Sequence, residues 1–108
     1  MYYLNNIINL SIEKFALKFF EKTKYGSLSV EFPSGKISKF EGKEYGVSAK
    51  IKLKNFLLIK KIVKRGAIGF AESYMDGDFN TDDLKNLLIF AEKNKSSFLI
   101  YSKKKKIN

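Results

Sequence analysis

The chain has 108 residues, 44% of them hydrophobic and 30% charged, with a formal net charge of +10 and a pI near 9.7. That length holds one domain with a core large enough to fold alone, and the composition is too apolar for a disordered chain. Cysteine and histidine are absent, which excludes a disulfide framework, a thiolate nucleophile, an imidazole base and a Cys/His zinc site.

In chain order, Leu4, Ile8, Ile12, Phe15 and Phe19 follow one helical line with Ile7 and Phe20 beside it, which predicts an amphipathic helix. Ser11 with Glu13 offers a second helix start, with a break near Leu10. From Gly26 the period changes: Leu28, Val30 and Phe32 alternate with Ser27, Ser29 and Glu31 as in a half-buried strand. Pro33-Ser34-Gly35 is a turn, and Ile37 and Phe40 belong to the returning strand of a hairpin. Val47, Ala49, Ile51 and Leu53 then alternate with Ser48, Lys50, Lys52 and Lys54 as a third strand.

Asn55 is placed to cap the next helix, whose last turn carries Lys60, Lys61, Lys64 and Arg65 before Gly66 at the C-terminal αL position. Residues 67–75 are short and apolar, one or two helical turns, and Asp76 to Phe79 form a turn and a brief extended piece. Asn80 or Thr81 caps a last helix that opens with Asp82 and Asp83, with Leu84, Leu87, Leu88 and Ala91 on its inner face. Phe98 to Ser102 is an apolar piece of ambiguous type, followed by the basic run Lys103, Lys104, Lys105 and Lys106. The expected class is α+β: one small domain over residues 1–94, helices on one side of an antiparallel or mixed sheet, then a basic tail over 95–108.

The stretch GFAESYMDGDFNTDDL, residues 69–84, holds five carboxylates in an otherwise Lys-rich chain. Asp76, Asp78 and Asn80 have the first three spacings of a calcium loop, but Thr81 stands where glycine is needed and Leu87 where a bidentate Glu belongs. Gly66, Gly69 and Gly77 match no phosphate-cradling spacing. No metal and no cofactor is expected.

The N-terminus does not read as a signal peptide, and the longest apolar runs are four residues, far below the roughly 18 of a membrane span. Lysine supplies every cation but Arg65, spread over both halves of the chain. Such a surface attracts anions as point charges rather than through guanidinium forks. Lys60, Lys61, Lys64 and Arg65, with Lys103 to Lys106, are the candidates for contact with a membrane surface or another anion.

The wording of GSLSVEFPSGKISKFEG and AKIKLKNFLLIKKIVKRGAIGFAESYMDGDFNTDDLKNLL resembles the N-terminal domain of cyclopropane-fatty-acyl-phospholipid synthases and related S-adenosylmethionine-dependent methyltransferases, over about residues 26–88. Its most specific part is G-x-x-E-S-Y-M-D-G-D-F at Gly69 to Phe79. The resemblance implies a non-catalytic α+β domain of sterol-carrier-like layout that helps present phospholipid acyl chains. It further implies a cytoplasmic protein peripheral to the inner membrane surface, partnered by a separately encoded catalytic domain. The family's catalytic half has no counterpart here, so methyl transfer by this chain alone is not expected. On this reading Glu72, Tyr74, Met75, Asp76 and Gly77 are candidates for a domain or partner contact: Tyr74 and Met75 facing inward beneath the sheet, Asp76-Gly77 making the turn, and Glu72 meeting a cationic or N–H partner. The alternative is a small basic nucleic-acid-binding protein, although Phe15, Phe19, Phe32, Phe40 and Phe70 fall on periodic apolar faces rather than on stacking platforms.

Overall fold

The computed structural model of the protein describes the backbone of residues 2–106 and the side chains of residues 11–100. The elements run α1 (Tyr2–Phe20), β1 (Tyr25–Glu31), β2 (Ile37–Glu41), β3 (Glu44–Leu53), α2 (Leu57–Met75), β4 (Phe79–Asn80) and α3 (Leu84–Lys106). The sheet has the order β2-β1-β3-β4 and is mixed: β2 and β4 pair antiparallel to their neighbours, β3 parallel to β1. The α+β class is therefore observed.

Alternation in the strands decides which side of the sheet is buried. Leu28 and Val30 of β1, Phe40 of β2 and Ala49, Ile51 and Leu53 of β3 form the inner face. Against them pack Ala16, Phe19 and Phe20 of α1, Leu58 and Ile59 of α2, and Leu87, Phe90 and Phe98 of α3. The rings of Phe19 and Phe98 stack at 4.9 Å, tying the first helix to the last. The outer face is polar, with Ser29 in register between Lys39 and Lys50.

The chain reaches β3 by passing across the start of β1. Gly42 N–H donates to the Gly26 carbonyl at 2.8 Å and Glu44 N–H to that of Lys24 at 2.9 Å. A Cβ at Gly42 would lie 2.2 Å from the Lys24 carbonyl oxygen, so only glycine allows this crossing. Asn94 of α3 secures it from the core side. Its Oδ1 accepts from the amides of Lys24 and Tyr25 at 2.8 and 2.9 Å, and its Nδ2 donates to the carbonyls of Tyr25 and Phe90.

Several expectations are corrected. α1 has no break at Leu10. Within it the buried face is Ala16, Phe19 and Phe20, while Ile12 and Phe15 sit at its open side; the side chains of Leu4, Ile7 and Ile8 lie outside the described residues. Gly66 does break the helix, and helical structure resumes after it as expected, but its φ of 59° and ψ of −129° place it outside αL. The N-terminal cap of α3 is Asp83, whose carboxylate accepts the Asn86 amide at 3.0 Å; Thr81 Oγ1 instead accepts from Asp83 N–H and donates to the Lys50 carbonyl. The inner face of α3 is Leu87, Phe90, Asn94 and Phe98, with Leu88 exposed. α3 passes through residues 94 and 95 without interruption. Tyr74 and Met75 do not face inward; they are 45% and 75% exposed.

Candidate functional site

The stretch 69–84 is a structural joint. α2 consists of two helical arms, 57–65 and 67–75, meeting at Gly66, whose positive φ a side chain would strain. Past the bend the second arm lies directly on the first: a Cβ at Gly69 would stand 1.9 Å from the Lys61 carbonyl oxygen. Glycine at 66 turns the chain and glycine at 69 lets the arms touch.

Three ionic contacts, made by two cations, span the corner. Arg65 Nη1 meets Glu72 Oε2 at 2.8 Å, so Glu72 has its cationic partner within the chain. Lys61 Nζ reaches Asp76 Oδ2 at 2.7 Å and Asp78 Oδ2 at 2.6 Å. Asp78 is buried, and its carboxylate also accepts from Ser73 Oγ at 2.8 Å and Asn55 Nδ2 at 3.3 Å. Burial pushes the Asp78 carboxyl up, but the hydrogen bonds from Lys61, Ser73 and Asn55 outweigh it and hold it below its usual 3.8. The hydrogen bonds from Lys61 to Asp76 and Asp78 raise the lysine above its usual 10.5. An ammonium occupies the point between the two carboxylates where the calcium-loop spacing would place a cation. Asp78 has its lone pairs committed to donors and is held ionised, which suits a structural anchor. Asp76-Gly77 makes the expected turn, with the Asp76 amide bonded to the Glu72 carbonyl and that of Gly77 to Tyr74.

Beside this corner, α1 and the first arm of α2 enclose a groove of about 720 Å³. Ile12 and Phe15 form one wall; Phe56, Leu57, Ile59 and Val63 form the other, with Lys60 and Lys64 on the rim. Its position follows from local sequence. Asn55 Oδ1 accepts the Leu57 amide at 2.8 Å and starts the helix, and the helical repeat then sets Lys60 and Lys64 one turn apart at the surface. Among the described residues neither lysine makes an ion pair.

The four cations predicted on this helix therefore divide. Lys60 and Lys64 face the groove, whereas Lys61 and Arg65 are tied to the corner. Lys103 to Lys106 lie in the last turns of α3, and their side chains lie outside the described residues. Tyr74 and Met75 are surface residues of the second arm, and the Tyr74 ring lies 5.7 Å from that of Phe79.

Sequence reasoning passed over Ser73, Lys61 as the partner of Asp76 and Asp78, and Asn94. Asn94 carried a usable signal: it stands four residues from both Phe90 and Phe98, on the face that must be buried. A polar side chain there needs a partner. Ser73 and Asp78 meet through the local turn at Asp76-Gly77, which also brings the Asp78 amide to the Ser73 carbonyl, whereas the contact of Lys61 with Asp76 and Asp78 depends on the bend at Gly66 and carried no signal.

A family model described as Domain of unknown function (DUF7884) matches residues 15–103, from the second half of α1 to the last turns of α3. No curated protein and no solved structure matches.

Proposed function

We propose, from the premise that the chain belongs to the family Domain of unknown function (DUF7884), that it is a non-catalytic accessory domain acting at a lipid or membrane surface. In this reading it presents phospholipid acyl chains to a separate methyltransferase catalytic domain, as the resemblance to cyclopropane-fatty-acyl-phospholipid synthases implies, and its two-layer build is the sterol-carrier-like layout of that family.

The observation that carries the reading is the groove between α1 and α2. Its walls are apolar and its only cationic lining groups, Lys60 and Lys64, are solvent-facing and unpaired among the described residues. Apolar surface of that kind, rimmed by positive charge, suits an acyl chain whose phosphate stays in water. No helix among the described residues is long and apolar enough to cross a membrane, and the contact proposed is a peripheral one. Each lysine near an anionic bilayer contributes about 1 kcal/mol.

Co-sedimentation with anionic and neutral vesicles, at low and high salt and with a single-stranded oligonucleotide as competitor, tests the reading. Retention on anionic vesicles through high salt and competitor is expected. Replacing both Lys60 and Lys64 with alanine should weaken binding at low salt roughly thirtyfold. Binding that disappears with salt or moves wholly to the oligonucleotide would assign the lysines to plain electrostatics, as in the nucleic-acid-binding alternative.

A further inference from the structure

A second apolar groove runs along α3. Leu88, Ala91 and Leu99 of α3 face Ala67, Phe70 and Ala71 of the second arm of α2 across about 220 Å³, and this groove shares no lining residue with the one between α1 and α2. Leu88 is 47% exposed there. Glu92 and Lys95 also line it and pair with each other at 3.1 Å, both side chains more than half exposed. Leu88, Glu92, Lys95 and Leu99 are spaced four, three and four apart, so they form one line along the helix. A line with leucine at both ends and open to water leaves apolar surface for another element to cover.

The order of charges along the line selects that element. A second α3 laid antiparallel, about a two-fold axis between residues 93 and 94, sets Leu88 against Leu99 of the second copy and Glu92 against its Lys95. Two-fold symmetry makes each contact twice. Other registers fail: an axis at Glu92 sets that carboxylate against itself, an axis at Lys95 sets that ammonium against itself, and a parallel pair does both. The flanks fit the same register. Asp82 and Asp83, just before α3, make no ion pair among the described residues. Positions 103 to 106 of the second copy, all lysine, come opposite positions 84 to 81. Antiparallel packing also brings the negative end of one helix dipole beside the positive end of the other.

We infer that the groove between α2 and α3 is where two copies of this chain meet, α3 antiparallel to α3, with Leu88 of each copy on Leu99 of the other and Glu92 of each on Lys95 of the other. The net +10 of each copy opposes this at long range, but residues 67–84, which flank the pair, contain no lysine or arginine. Salt at about 0.15 M screens charges beyond about 8 Å. The pairing stands whether or not lipid binds between α1 and α2.

Sedimentation equilibrium of the full chain without lipid, in about 0.15 M salt, should show monomer in equilibrium with dimer. Glu92→Lys and Lys95→Glu should each weaken the dimer about tenfold, since one substitution turns two attractive contacts into repulsive ones. Both variants should melt with the unaltered chain in dilute solution, because both side chains lie at the surface. Mixed in equal amounts, the two variants should form a heterodimer at least as tight as the unaltered dimer, because both contacts then join opposite charges. A pair acting only within its own helix would not recover on mixing. Three results overturn the proposal: a chain that stays monomeric at its highest soluble concentration, which would leave the groove to a helix of a different protein; single variants that associate like the unaltered chain; or a mixture that associates no better than its components.

Discussion

Asp78 is buried yet ionised because three donors converge on it, and its linkage to pH follows with a definite sign. Its folded-state pKa lies below 3.8, so its contribution to stability is complete above the unfolded value and is lost as pH falls through that value towards the folded one. Lys61 is raised above 10.5, so its contribution is complete below 10.5 and is lost as pH rises past the folded value. Both are in place across neutral pH. Asp78→Asn should flatten the acid side of a plot of Tm against pH, and an unchanged slope below about pH 4 would show that Asp78 does not titrate with folding. Gly69→Ala attacks the same joint sterically: the added carbon would meet the Lys61 carbonyl oxygen at 1.9 Å, and neither backbone can withdraw alone. The expected loss is about 3 kcal/mol, at about 4–8 °C of Tm per kcal/mol in a domain of this size. Asn94→Leu keeps the volume but leaves the Lys24 and Tyr25 amides unpaired in a partly buried place. A loss of about 2–4 kcal/mol is expected for the two donors, and retained stability in urea unfolding would mean that water replaces the amide.

At the scale of elements, the strands were legible in the sequence and the helix faces were not. A strand has only two faces, so Leu28, Val30, Ala49, Ile51 and Leu53 identify the buried side by alternation alone, and all five are buried. A helix has a continuous range of faces, and where apolar residues extend beyond one stripe the tertiary neighbour decides which are covered. α1 turns Ala16, Phe19 and Phe20 inward and leaves Ile12 and Phe15 to the groove; α3 buries Leu87 and exposes Leu88. The last assignment has a direct test. Leu87→Ala should cost about 2–5 kcal/mol, whereas Leu88→Ala, at 47% exposure, should stay within about 0.5 kcal/mol; equal losses would place both side chains in the core. The corner of α2 was half legible: Gly66, Asp76-Gly77 and a cation for Glu72 were all expected, but the close contact of Gly69 with Lys61 depends on a backbone angle that no residue type encodes. The Arg65–Glu72 pair that closes it is largely exposed, 57% and 35% by side chain. Glu72→Ala should therefore shift stability by less than about 1 kcal/mol, a weaker role than the sequence alone implied.

For the whole molecule, the charge excess on which the proposed function relies also strains the folded state. A net +10 on one small domain is self-repulsive, and the screening length falls from about 10 Å in 0.1 M salt to about 3 Å in 1 M. Within the molecule carboxylates already serve the cations at the corner of α2: Asp76 and Asp78 hold Lys61, and Glu72 holds Arg65. Lys60 and Lys64 on the groove add to the surplus. Salt should accordingly act in opposite directions on two observables of the same protein. Without lipid, raising salt should raise Tm, because repulsion among exposed lysines is screened more effectively than the short contacts around buried Asp78. With anionic vesicles, the same salt should remove the lysine part of the binding and leave the part owed to the apolar walls of the groove. A double substitution of Lys60 and Lys64 by alanine should reduce both salt effects together while leaving the salt-resistant vesicle binding in place. If the substitution changed the melting response but not the vesicle response, the charge that meets the membrane would have to lie elsewhere on the surface, and the groove would lose its anionic contact.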